Sequence, residues 1–198
     1  MITLYWCPQT RSQRIAWLLE ETGLDYERCK VDVRVPETLP AEFRAASPMG
    51  KVPALRDGDT TVWDSAAICA YIADHYPETG LAPKPAHPDR ARFLQWLIFT
   101  PSVIEPAVSE RVWGWTPSPE RNAWGDFDKM IAAFETGLGD RPWIMGNAFS
   151  AADIMLGSSA VFLRQFAILP DSAVLNAYAD RCEARPAFRR ALAFEEAG

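Results

Sequence analysis

The 198-residue sequence predicts an α/β domain followed by an all-α domain, on three observations. Through residue 77, strand-like and helix-like segments follow the order β-α-β-α-β-β-α, which makes a mixed sheet covered by helices on both faces. Residues 77–88 (PETGLAPKPAHP) carry four prolines and read as a linker between domains. Beyond them the apolar pattern is helical. The expected boundaries are therefore 1–77, a linker at 78–88, and 89–198.

Each element has its own signal. Residues 2–6 form a short apolar run suited to a buried strand, and Ile15, Leu18 and Leu19 then give helical spacing stopped by Thr22-Gly23. Residues 26–33 predict a second strand, with Val31 and Val33 as its inner face. A short helix is expected over 41–46. Pro-Ala-Leu-Arg and Thr-Thr-Val-Trp flank Asp57-Gly58-Asp59, a two-strand turn signal, and Asp64-Ser65 opens the next helix. In the second half, helices are expected over about 89–110 (with Pro101 and Pro106 able to kink it), 119–138, 150–166, 172–184 and 186–195. Ser150 and Asp153 have the spacing of a capping pair.

Composition narrows the function. A net charge of −6 argues against a nucleic-acid binder, which normally carries a basic face. The four cysteines, Cys7, Cys29, Cys69 and Cys182, lack metal-binding spacing and read as thiols in a reducing compartment. Neither a signal-peptide pattern nor a run long enough to span a bilayer is present in the sequence, so the expectation is a cytoplasmic protein that meets no membrane. Eight tryptophans supply material for a core or for apolar pocket walls.

Residues 47–77 carry the clearest chemistry. Val52 precedes Pro53 and must be extended; with a cis bond there, its N–H and C=O are free to pair with an extended ligand. Asp64 and Ser65 lie at a helix N-terminus, where carboxylates bind well. A site that pairs a ligand's backbone and also binds its carboxylate suits a small peptide.

This arrangement resembles the glutathione site of the cytosolic glutathione transferases. The resemblance runs through residues 4–12 (LYWCPQTRS), 17–24 (WLLEETGL), 50–55 (GKVPAL), Asp64-Ser65 and 146–154 (GNAFSAADI). It implies a thioredoxin-like N-terminal domain, an all-helical C-terminal domain, and a homodimer. It also implies a glutathione S-transferase that joins the thiolate of glutathione, its co-substrate, to a small electrophile without a metal. Two other readings stay open: a thiol transferase or disulfide reductase using Cys7, and a transferase-like binding module with no turnover.

The resemblance also implies roles for single residues. Val52 and Pro53 would hold the cysteinyl backbone of glutathione, Ser65 its γ-glutamyl carboxylate, Asp64 its ammonium within or across the dimer, and Lys51 its glycyl carboxylate. For the thiol-activating group the resemblance offers four candidates, Cys7, Thr10 and Ser12 in the first loop and Tyr5 before it. Cys7 stands in a Cys-Pro pair similar to that of omega-class transferases and glutaredoxins, with Arg11 and Arg14 expected nearby. Thr10 sits where phi- and delta-class relatives place a serine, though Thr10 with Gln13 also reads as a capping box. Ser12 lies one residue from the beta-class cysteine position, which Arg11 occupies here. Tyr5, inside the first strand, reads as structural. Phe99, Trp113, Trp115 and Phe166 are the expected walls of an electrophile pocket between domains.

Overall fold

The computed structural model describes residues 1–116 and 118–196, so residues 117, 197 and 198 of the expected second domain lie outside the described residues. The chain forms two compact units: residues 1–81 together with the segment from Ala184, and residues 82–183. Among the described residues no helix is long and apolar enough to cross a membrane.

The first unit is built on a four-stranded sheet of order β2-β1-β3-β4, formed by β1 (Ile2–Trp6), β2 (Tyr26–Lys30), β3 (Ala54–Asp57) and β4 (Thr60–Trp63). β1 runs parallel to β2 and antiparallel to β3, and β4 returns beside β3 with Asp57 opposite Thr60 across the turn. Side chains alternate across a strand, so Leu4 and Tyr5 serve opposite faces. On the Tyr5 side, Tyr5 and Ala54 form one buried cluster with Val31, Leu39 and the α2 (Ala41–Ala46) residues Phe43 and Ala46. The other face, with Leu4 opposite Leu55, falls to α1 (Ser12–Thr22) and α3 (Ser65–His75), whose Ile15, Leu18, Leu19, Ile68 and Ile72 are fully buried. Gly23 ends α1 at φ 67°, the left-handed conformation that glycine adopts without penalty.

β2 stops three residues earlier than the sequence pattern suggests. Asp32 turns the chain, its carboxylate accepting from the Arg34 N–H (3.0 Å) and its carbonyl from the Val35 N–H (3.1 Å). This side-chain turn competes with the ladder for the backbone donors.

The last helix, α9 (Pro186–Glu196), follows the helical run in sequence but belongs to the first unit. Phe188 meets Trp17 of α1 edge to face at 4.9 Å, Arg185 bonds both Glu21 carboxylate oxygens (2.5 and 2.7 Å), and Arg190 bonds Glu20 (2.7 Å).

The second unit is helical: α4 (Arg90–Phe99), a π-helical turn over Thr100–Ile104, α5 (Glu105–Trp113), α6 (Phe127–Leu138), α7 (Ala151–Gln165) and α8 (Ala173–Glu183). Pro101 lacks a backbone donor, and the expected kink takes the form of this π turn. α6 begins at Phe127, well short of the expected start near residue 119. Gly125 turns the chain at φ 71° and Asp126 caps the helix by accepting from the Lys129 N–H (2.8 Å). Gly137 lets α6 approach α4, because a Cβ there would lie 2.1 Å from the Trp96 ring. The capping pair forms as expected at the start of α7.

Candidate active site

Three loops converge at one edge of the sheet, and the strand registers explain why. Tyr5 pairs with Ala54, so continuing the antiparallel ladder brings Cys7 to Val52. Ala54 also pairs with Trp63, which places Asp64 beside Pro53. Parallel pairing of β1 with β2, Trp6 against Lys30, makes the segments after both strands emerge side by side. Val33 and Val52 accordingly pack against the same buried cluster around Tyr5.

The first loop is closed by its own hydroxyls. The Cys7 N–H donates to Ser12 Oγ (3.1 Å), while Ser12 Oγ (2.9 Å) and Thr10 Oγ1 (2.6 Å) both donate to the Cys7 carbonyl. The hydroxyls lie 2.8 Å apart, and the Ser12 N–H reaches Thr10 Oγ1 at 3.2 Å. Ser12 is fully buried and bonds Cys7 in both directions, so it fastens the loop. Thr10 is only half-buried, and its proton can turn to more than one acceptor. The expected capping box does not form, because the Gln13 N–H bonds the Thr10 carbonyl (3.2 Å) rather than its hydroxyl, and the N-cap of α1 is Arg11, which carries no acceptor.

Cys7 is 1% exposed. The guanidinium at its sulfur comes from Arg34, whose Nη1 donates to Sγ at 3.2 Å and Nη2 to the Pro8 carbonyl at 2.9 Å. Arg34 was not foreseen from sequence, because it stands 27 residues away; the parallel pairing of β1 and β2 is the signal that could have found it. Arg14, buried in α1, acts on Cys69, whose thiol is pushed up to about 12 by burial against the pull of that charge. Burial also raises the Cys29 thiol, and Glu42 adds to the effect. Tyr5 lies in the sheet core, 5.5 Å from the Phe43 ring, with its hydroxyl pKa raised by burial.

The second loop depends on another residue that local sequence does not announce. Buried Ser47 accepts from the Lys51 N–H (3.1 Å) and donates to the Lys51 carbonyl (2.7 Å), and Gly50 completes the turn at φ 61°. Lys51 is exposed, Val52 half-buried, and the Val52-Pro53 bond is cis. The β3 ladder starts at Ala54, so Val52 lies outside it. Asp64 sits at φ 75° with Oδ1 accepting from the Ala66 (2.9 Å) and Ala67 (3.3 Å) N–H groups, and Ser65 is the buried first residue of α3. The arrangement offers an extended edge, a hydroxyl at a helix N-terminus and a thiol-bearing loop within one sheet end.

The four aromatic residues expected to line a pocket all fall in the second unit. Phe99 meets Trp96 edge to face (5.0 Å), and Phe166 lies tilted against Phe162 (4.6 Å). Trp113, 73% exposed, and Trp115 flank the left-handed Gly114 at the end of α5. Among the described residues, no group of three or more His, Cys, Asp or Glu side chains is placed to hold a metal ion.

Both halves of the chain resemble known proteins. The family described as "Glutathione S-transferase, N-terminal domain" matches residues 6–75, and "Glutathione S-transferase, C-terminal domain" matches residues 105–193. Glutathione S-transferase 3 of Zea mays is 31% identical over 151 residues, covering 71% of this chain and 68% of its own. The disulfide-bond oxidoreductase YfcG of Escherichia coli (strain K12) is 27% identical over 97% of this chain and 94% of its own. Among solved structures, a sphingomonad glutathione S-transferase complexed with glutathione superposes with a TM-score of 0.80 at 35% identity, over 99% of this chain and 100% of that one.

Proposed function

The chain belongs to the glutathione S-transferase family, and from that premise we propose that it activates the thiol of glutathione and transfers its sulfur to a small electrophile. The observation that carries the reading is the convergence of the Cys7–Ser12 loop, Val52 and Asp64-Ser65 at one sheet end. In this reading Val52 and Pro53 receive the cysteinyl backbone, Ser65 the γ-glutamyl carboxylate, Lys51 the glycyl carboxylate, and Asp64 the ammonium.

Thr10 is the proposed donor to the sulfur. Ser12 is buried and committed to Cys7, whereas the Thr10 proton can leave its carbonyl acceptor for a bound thiolate. The thiol gives its proton to water, the thiolate attacks carbon, and a carbon–sulfur bond forms as the leaving group departs. Phe99, Trp113, Trp115 and Phe166 are the proposed apolar surface for the electrophile, and the proposed working form is a cytoplasmic homodimer.

The test is twofold. Glutathione should raise the melting temperature, and Ser65→Ala should weaken its binding by about 1–3 kcal/mol, as for a lost hydrogen bond to a charged group. With an activated aryl chloride as probe, Thr10→Val should cut turnover and Thr10→Ser restore it, at matched stability. Unchanged affinity in Ser65→Ala removes the carboxylate assignment, and full turnover in Thr10→Val removes the donor.

One observation favours a second activity, thiol–disulfide exchange at Cys7: a guanidinium N–H donates directly to its sulfur. The Escherichia coli relative, named as a disulfide-bond oxidoreductase, supports the same reading.

A further inference from the structure

Arg34 occupies a position that the conjugation reading does not use. Its guanidinium spans the Cys7 sulfur (3.2 Å) and the Pro8 carbonyl (2.9 Å), while its side chain stays 54% exposed and the cysteine is 1% exposed. A molecule approaching that sulfur from solvent therefore meets the guanidinium first. Asp32 is the facing carboxylate, 3.8 Å from Nη1 and equally exposed, and its Oδ1 also accepts the Arg34 backbone N–H. Asp32 offsets part of the Arg34 charge, and removing the guanidinium still changes the charge beside the sulfur by one unit.

We infer that Arg34 is the specificity-determining residue for Cys7, covering the sulfur at rest and directing its reactions toward anionic disulfides and alkylating agents. The inference rests on the exchange reading. In that exchange the Cys7 thiolate attacks one sulfur of a disulfide, a new sulfur–sulfur bond forms as the old one breaks, and the second sulfur leaves as a thiolate. Electrons and charge balance with no added reductant. A guanidinium in contact with the attacking sulfur draws a carboxylate-bearing partner toward it and then donates to whichever sulfur is charged.

The experiment uses two alkylating agents of nearly equal size and opposite demand, iodoacetate (anionic) and iodoacetamide (neutral). Modification of Cys7 is followed by peptide mass mapping on the full-length folded protein. The rate ratio of iodoacetate to iodoacetamide should fall about five-fold in Arg34→Gln, the size expected for one solvent-screened charge at contact distance. Arg34→Lys should keep most of the ratio, and 0.5 M salt should bring wild type close to Arg34→Gln. Folding of each variant is checked by thermal unfolding; if the glutamine variant is unstable, the fall of the wild-type ratio in 0.5 M salt decides, and a ratio unmoved by salt overturns the inference.

An equal ratio in wild type, Arg34→Lys and Arg34→Gln overturns the inference. So does a faster iodoacetamide reaction in Arg34→Gln at an unchanged ratio, which would leave Arg34 as a cover only. A Cys7 inert to both reagents in every variant overturns the exchange reading with it. Glutathione binding, measured separately on the same samples, reports on the conjugation reading alone.

Discussion

Asp153 shows how much one buried side chain organises. It is wholly buried and accepts four hydrogen bonds, from the Ile144 N–H (2.8 Å), the Ser150 N–H (3.0 Å), Ser150 Oγ (2.9 Å) and the Tyr178 hydroxyl (2.8 Å). Burial raises its carboxyl above the ordinary value of 3.8, against the pull of those donors. A carboxyl whose folded pKa is raised binds its proton more tightly in the fold, so its contribution to stability falls as pH rises through the window above 3.8. Asp153→Asn should cost about 3 kcal/mol in urea unfolding at neutral pH, because an amide cannot accept from all four donors, and should flatten that pH slope. A loss under about 0.5 kcal/mol would mean that the network relaxes around the change. The Ser150–Asp153 pair was legible in sequence because its partners are three residues apart; Ile144 and Tyr178 were not, since packing alone brings them in. The site divides in the same way. Val52 and Asp64-Ser65 follow from short local patterns, whereas the Arg34 contact with Cys7 depends on which strands lie parallel, and the burial of Ser12 depends on how the loop folds back.

At the scale of elements, every strand and nearly every helix was readable from period and punctuation, and the misses share a cause. The end of β2 and the start of α6 are both set by an aspartate that bonds nearby backbone N–H groups. Such side chains compete with regular structure at ranges that hydrophobic period does not sense. The attachment of α9 to α1 was hidden for another reason, since Arg185 and Glu21 are 164 residues apart. That contact can be weighed. Glu21 is shielded, bonded twice by Arg185 and also by the Trp17 indole N–H (2.8 Å), whereas Arg190 reaches Glu20 from a more exposed position. Arg185→Ala should lower unfolding stability by about 1–3 kcal/mol. Arg190→Ala should lower it by about 0.5 kcal/mol. A double-mutant cycle with Glu21→Ala checks the coupling; equal, small losses for both arginines would make α9 an ornament of α1 rather than its cover.

For the whole molecule, the expected working state is an isologous dimer, as the family resemblance implies. The surface has apolar side chains to spare for it, Met49 and Trp63 among them. Sedimentation at micromolar concentration should give about twice the chain mass of 22.1 kDa, and the single-chain value across that range would refute it. The division of the chain has a further consequence, which concerns time. The sheet and α1 are encoded first and α9 last, with the 102 residues of the second unit, 82–183, made in between. At about 5–20 residues per second, the ribosome needs roughly 5–20 s to bridge that gap. Throughout it, the face of α1 bearing Trp17, Glu20 and Glu21 lacks its α9 partners Phe188, Arg190 and Arg185. The last element of the first unit is therefore made only after every residue of the second, and a chain ending near residue 183 would hold the whole helical segment while Trp17 still lacked the Phe188 ring that meets it.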